Sequence, residues 1–132
     1  MKLLLLVLIT MVSLGASEIS EFAQTMGYET SYKVAIQKAK QSNKEVMFVM
    51  VTNYCPWCRK FEKRTLVKEK VNLIVHKKYI PLILNREKGN YPKQFYTKRI
   101  PVVMFINPNN EEKIKESLGY KKVKDFVIEL NK

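Results

Sequence analysis

Along the chain, continuous apolar runs alternate with segments whose apolar positions recur every three or four residues. "EVMFVMV" (Glu45–Val51) is an unbroken apolar run of strand length, the pattern of a central strand buried on both faces. "YIPLILN" (Tyr79–Asn85) is a second such run. Its Pro81 has no N–H to give to a ladder, which points to an early or edge position. "IPVVMFIN" (residues 100–107) is a third, and "KIKESLG", after the turn "PNNEE", is a fourth strand or a strand edge. Between them, "SYKVAIQKAKQSNK" sets Val34, Ala35, Ala39 and the stem of Lys38 near one face. With Thr30 or Ser31 as N-cap it predicts an amphipathic helix ending near Asn43. "CRKFEKRTLVKEKVNLIVHKKY" is helical by pattern: Phe61, Leu66, Val71, Leu73, Ile74 and Val75 supply the apolar faces, and a break falls near residues 67–69. "YPKQFYTKR" holds a short helix with Pro92 near its first turn. "KKVKDFVIELNK" closes the chain as a helix bearing Val123, Phe126, Val127 and Leu130. Residues 18–29 read as an extended or irregular lead-in. This order of elements is satisfied by an α/β architecture, a mixed sheet with helices on both faces. Met47, Met50 and Met104 lie on strands and read as core fillers rather than ligands.

Composition narrows the class. With 132 residues, 46% hydrophobic and 27% charged, the chain is one domain with enough apolar material for a core. Its start, "MKLLLLVLITMVSLGAS", has one Lys, an apolar run over residues 3–12 and then small residues, the layout of a secretory signal peptide. The run is shorter than the ~20 apolar residues of a spanning helix. Small residues admit cleavage after Gly15 or Ser17, so the expected division is a leader over residues 1–17 and a folded domain over 18–132. An uncleaved anchor is the alternative. Either way the folded part is expected outside the cytoplasm, periplasmic or secreted, in a bacterium. The formal net charge is +12, but the lysines are scattered rather than interleaved with aromatics in a strip. Nucleic-acid binding is therefore not expected, and attraction to acidic partners or an anionic surface is compatible but unspecific.

The two cysteines, Cys55 and Cys58, stand in "TNYCPWCRKFEKRTL". A disulfide closing so short a loop would stabilise little. A zinc site needs about four ligands, whereas the chain has this one pair and one histidine, His76. A metal shared between two chains, or copper(I) on the two thiolates alone, stays open. Redox exchange fits the context better. Cys55 follows a strand and a short polar loop and opens a helix, whose free N–H groups and partial positive charge favour a thiolate, typically lowering the pKa to ~3.5–7.5. Cys58 falls one turn later, within reach of Cys55 and more buried. Cys55 is then the attacking sulfur and Cys58 the resolving one. Pro56 suits the first helical turn, and Trp57 puts a flat surface beside the sulfurs for a docking chain.

Cys-Pro-Trp-Cys after an apolar strand, with Ile100–Pro101 ahead of another, resembles the thioredoxin superfamily over about residues 31–130. "CPWCRKFEKRTL", "VNLIVHKKYIPLILN", "IPVVMFINPNNEE" and "GYKKVKDFVIEL" resemble small secreted thioredoxin-like proteins and the C-terminal periplasmic domain of the transmembrane thiol:disulfide interchange reductase. The resemblance implies a thioredoxin fold with a central mixed sheet of four to five strands. It implies a cis Ile100–Pro101 peptide beside the sulfurs that offers the Ile100 backbone to an extended substrate, with Tyr54 and Trp57 flanking. It implies an extracytoplasmic thiol–disulfide oxidoreductase that reduces periplasmic proteins or cytochrome c maturation components. No organic cofactor or metal is implied beyond the Cys55–Cys58 couple; a membrane electron donor is, and a monomer is expected. The alternatives are a copper or haem-pathway thiol-binding protein and a secreted oxidase or isomerase. One departure stands out: the buried Asp that such proteins carry six residues before the first Cys is Val49 here. Glu62, four residues after Cys58 on the same helix face, is the substitute candidate for tuning the sulfurs, against a plain solvated glutamate.

Overall fold

The computed structural model describes residues 17–132, so the leader expected over residues 1–17 lies outside the described residues except for Ser17. Four strands form one mixed sheet in the order β2-β1-β3-β4. Strand β1 (Glu45–Val51) runs parallel to β2 (Tyr79–Asn85) and antiparallel to β3 (Val102–Ile106), which pairs antiparallel with β4 (Lys113–Leu118). The continuous apolar run of β1 is explained by its place: both neighbours are strands, both faces are covered, and Val46 to Val51 are all buried. Pro81 sits on the edge strand as expected. Glu29 closes that edge locally, donating its N–H to the Pro81 carbonyl at 2.8 Å and accepting from the Ile83 N–H at 3.0 Å. The opposite edge, β4, is largely solvent-exposed and carries Lys113, Lys115 and Glu116, charges that discourage pairing with other chains.

The two-residue period of β1 divides the core. Val46, Phe48 and Met50 face helix α2 (Tyr32–Ser42) and an aromatic group in which Phe48 meets Tyr32 and Phe95 edge-on. Met47, Val49 and Val51 face the other layer, built from α1 (Glu18–Met26), α3 (Pro56–Phe61), α4 (Glu69–Lys78) and α5 (Val123–Leu130). Both cysteines belong to this second layer.

Three sequence expectations are corrected. Residues 18–29 are not an irregular lead-in: most of them form α1. Ile19, Phe22, Ala23 and Met26 recur at helical spacing and pack on the core, and the Ser17 side chain caps the start by accepting from the Ser20 N–H. Gly27, at φ 72°, ends the helix in the left-handed region. In α2 the buried face is Ala35, Ile36 and Ala39, while Val34 and Lys38 point outward. The expected stripe was one residue out of phase, because burial there is set by contact with β1 and β2. In α4, Val71 and Val75 are buried but Leu73 is exposed. The break near residues 67–69 falls where expected, as a turn and bend at residues 67–68, and ahead of it Glu62–Leu66 is a wider π-helical turn. Such turns cluster at functional sites.

Candidate active site

Strand β1 ends at Val51, and residues 52–54 carry the chain over the end of the sheet to Cys55. Cys55 is extended (φ −132°, ψ 96°) and is the N-cap of α3. Its Sγ accepts the Cys58 backbone N–H at 3.1 Å, and Pro56 takes the first helical position, where no N–H is needed. Cys55 and Cys58 are joined as a disulfide. Their surroundings differ. Cys55 retains 8% exposure, whereas Cys58 is at 0%, packed in the layer that contains Phe61 and Phe126. The outer sulfur is the one a partner could approach.

On the solvent side, Trp57, Ile100, Pro101, Gly119 and Tyr120 line a shallow groove. The Ile100–Pro101 peptide is cis, as the resemblance implied. The Gly119 N–H donates to the Pro101 carbonyl at 2.7 Å, tying the groove floor to the end of β4. Trp57 and Tyr120 lie 5.9 Å apart by ring centroids, and the Lys60 ammonium rests 4.5 Å from the first ring and 4.8 Å from the second. Tyr54 is 98% exposed and Trp57 58% exposed.

A separate cleft lies along α1, lined by Glu18, Phe22, Met26, Arg59, Glu62 and Lys63 among others. Glu62 is only 3% exposed. Its Oε2 accepts from Arg59 Nε at 2.7 Å, and Arg59 Nη1 reaches Glu18 Oε2 at 3.3 Å. Burial pushes the Glu62 carboxyl above the ordinary glutamate range; Arg59 pulls it back, and Glu18 adds repulsion. The Tyr28 hydroxyl and Arg59 Nη2 are buried with no hydrogen-bond partner among the described residues. The Tyr28 phenol is raised by burial and, secondarily, by the charge of Glu62. Val49, where an acid was expected by resemblance, is fully buried among apolar neighbours.

The fold thus brings Cys55, Cys58, Pro56, Trp57, Ile100 and Pro101 to one end of the sheet. Glu62 sits one turn beyond Cys58, its N–H bonded to the carbonyls of Cys58 and Arg59, but its carboxylate belongs to the α1 cleft. Three residues escaped the sequence reading. Arg59 was detectable by its i,i+3 spacing from Glu62. Glu18 required α1 to be recognised first, and Tyr120 had no local signal. His76 is intermediate in exposure, with Nε2 2.8 Å from the Met26 carbonyl oxygen. Among the described residues no group of three or more His, Cys, Asp and Glu side chains is placed to hold a metal ion.

The sequence profile of the thioredoxin-like family matches residues 28–108, more than half of the chain. Among solved structures, the fold is similar to a thioredoxin from Thermus thermophilus, at 18% identity and TM-score 0.68 over 77% of this chain and 82% of that one. It is similar to the DsbH oxidoreductase, at 16% identity and TM-score 0.66 over 79% and 81%. It is also similar to the C-terminal domain of Neisseria meningitidis DsbD in its oxidised form, at 19% identity and TM-score 0.61 over 75% and 90%. At these identities the structural likenesses speak for the fold. No curated protein sequence matches the chain. The chain belongs to the thioredoxin-like family. With its Cys-Pro-Trp-Cys disulfide, it is a thioredoxin-like thiol–disulfide oxidoreductase.

Proposed function

We propose that this protein works outside the bacterial cytoplasm, in the periplasm or secreted, and reduces disulfides of other proteins. The observation that carries disulfide exchange itself is the asymmetry of the cysteine pair: Cys55 caps a helix and keeps some exposure, and Cys58 is sealed behind it. In the reduced protein, Cys55 is the nucleophile. The Cys58 N–H that meets its sulfur at the start of α3 favours the thiolate. That thiolate attacks one sulfur of the partner's disulfide; the partner's S–S bond breaks, a Cys55–partner disulfide forms, and the departing sulfur takes a proton. Cys58 then gives up its proton and attacks the Cys55 sulfur, releasing the second partner thiol and leaving the Cys55–Cys58 disulfide. The partner gains two electrons. A dithiol protein, expected in the membrane, restores them.

Ile100 and Pro101, with Trp57, form the wall against which an extended substrate segment rests, and Tyr54 flanks it. Glu62 tunes the pair from behind: a buried acid one turn past Cys58 is suited to hold or pass the proton that Cys58 must lose. The reducing direction and the location rest on the resemblance of "CPWCRKFEKRTL" to secreted reductase-like domains and on the leader-like start. The test is reduction of insulin, with a small dithiol as electron source. Catalysed precipitation of the insulin B chain is expected. Negligible reduction together with stoichiometric, tight copper(I) binding would replace this reading by that of a thiol-based metal carrier.

A further inference from the structure

The groove's lining is uncharged, but the charged residues that flank it along the chain are of one sign. Residues 54–61, 98–101 and 119–122 contain Arg59, Lys60, Lys98, Arg99, Lys121 and Lys122, and no Asp or Glu. Two of the six are committed elsewhere: Arg59 turns inward to Glu62 and Glu18, and Lys121 faces Glu129 at 4.0 Å. Among the described residues, Lys60, Lys98, Arg99 and Lys122 form no ion pair. Lys60 is the best placed of these. Its ammonium is held over the faces of Trp57 and Tyr120, two rings that line the groove beside the cis Ile100–Pro101 peptide. A cation seated on two rings stays at the rim and keeps donors for an incoming group.

Building on the reading of this groove as the docking place for substrate, we propose that it selects an extended, disulfide-bearing segment of a partner protein with acidic residues beside its cysteine. Lys60 meets the carboxylate, and the surrounding cations and the net charge of +12 draw such segments in. This gives the basic composition a specific task at the site.

The experiment compares the reduced protein on two peptide disulfides that differ only in having Asp or Lys beside the cysteine. Uncharged bis(hydroxyethyl) disulfide serves as reference. The acidic peptide should react about tenfold faster or more at low ionic strength, and added salt should narrow the ratio. Lys60→Glu should collapse or invert the ratio, and Lys60→Met, which keeps bulk without charge, should give an intermediate value. Equal rates on the two peptides, or a ratio untouched by salt and by both substitutions, would overturn the inference while leaving the oxidoreductase reading in place. Failure to reduce even the uncharged disulfide would instead sink that underlying reading.

Discussion

The two sides of the redox helix contrast in every physical respect. On one side, Cys55 keeps the little exposure the pair has, and Trp57, with Lys60 over its ring, borders a groove flanked along the chain by basic residues. On the other, Cys58, Phe61 and Thr65 are sealed, and a buried acid, Glu62, is covered by α1 and held by Arg59. Cysteines three residues apart therefore sit in different media. A disulfide exchanger needs that difference: an accessible, cation-favoured sulfur to begin the exchange and a dry one to finish it. The helix geometry that puts Cys58 one turn below Cys55 creates the division, and the π turn at Glu62–Leu66 continues the dry side, with Glu62, Thr65 and Leu66 all buried.

The most severe way to break this contrast is to remove each sulfur in turn. Cys55→Ser should lower the rate of protein-disulfide reduction by about a thousandfold or more, because the nucleophile is gone. Cys58→Ser should stop turnover at a different stage, trapping a Cys55–substrate disulfide that non-reducing electrophoresis reveals. A trapped species in the Cys55→Ser protein instead would reverse the assignment.

A smaller effect is expected at Glu62. Glu62→Gln removes the first acid after the dry sulfur along the helix, and the resolving step should slow by about tenfold, equivalent to a shift of about one pK unit in proton affinity. Stopped-flow release of a trapped thiol measures this; an unchanged rate would end the tuning role. The same variant tests the burial of the acid. Because burial raises the Glu62 carboxyl in the folded state, the native protein holds that proton more tightly than the unfolded chain. Stability should therefore fall as pH rises from the ordinary glutamate value through the raised one, the reverse of a carboxylate stabilised by its partner. Urea unfolding across the acid-to-neutral range should show this slope in the parent and lose it in Glu62→Gln.

The mildest change concerns the α1 flap. Glu18→Gln removes a carboxylate that is mostly exposed and bonded to Arg59 at 3.3 Å. The loss of stability should stay below about 1 kcal/mol. A larger loss in thermal or urea unfolding would mean that Glu18 closes the dry side rather than decorating it.

Much of the fold was legible because burial wrote itself into the chain directly. Glu45–Val51 and Tyr79–Asn85 are apolar almost without interruption, since a central strand and its parallel neighbour are covered on both faces. Cys55, Cys58, Pro56 and the distant Ile100–Pro101 were legible as a pattern of spacing and strand–loop–helix context. Helix α1 was not, although Ile19, Phe22, Ala23 and Met26 carry its period. Nine residues next to a leader-like segment give a weak signal, and the family match begins only at Tyr28. That omission had a consequence at the site. Glu62 on helix spacing alone could be a solvated surface residue; it is buried beside α1, a long-range fact that no local pattern contains. Tyr120 meets Trp57 for a similar reason, since only the β3–β4 pairing brings the end of β4 to the redox helix.

The central claim is that the Cys55–Cys58 pair is a reducing couple, and its equilibrium with glutathione tests this most directly. With the reduced and oxidised forms resolved by thiol alkylation at equilibrium, a potential near about −270 mV, in the range of thioredoxin, is the predicted result. A potential near about −120 mV, that of a strong disulfide donor, would contradict the reducing role and turn the direction of electron flow around.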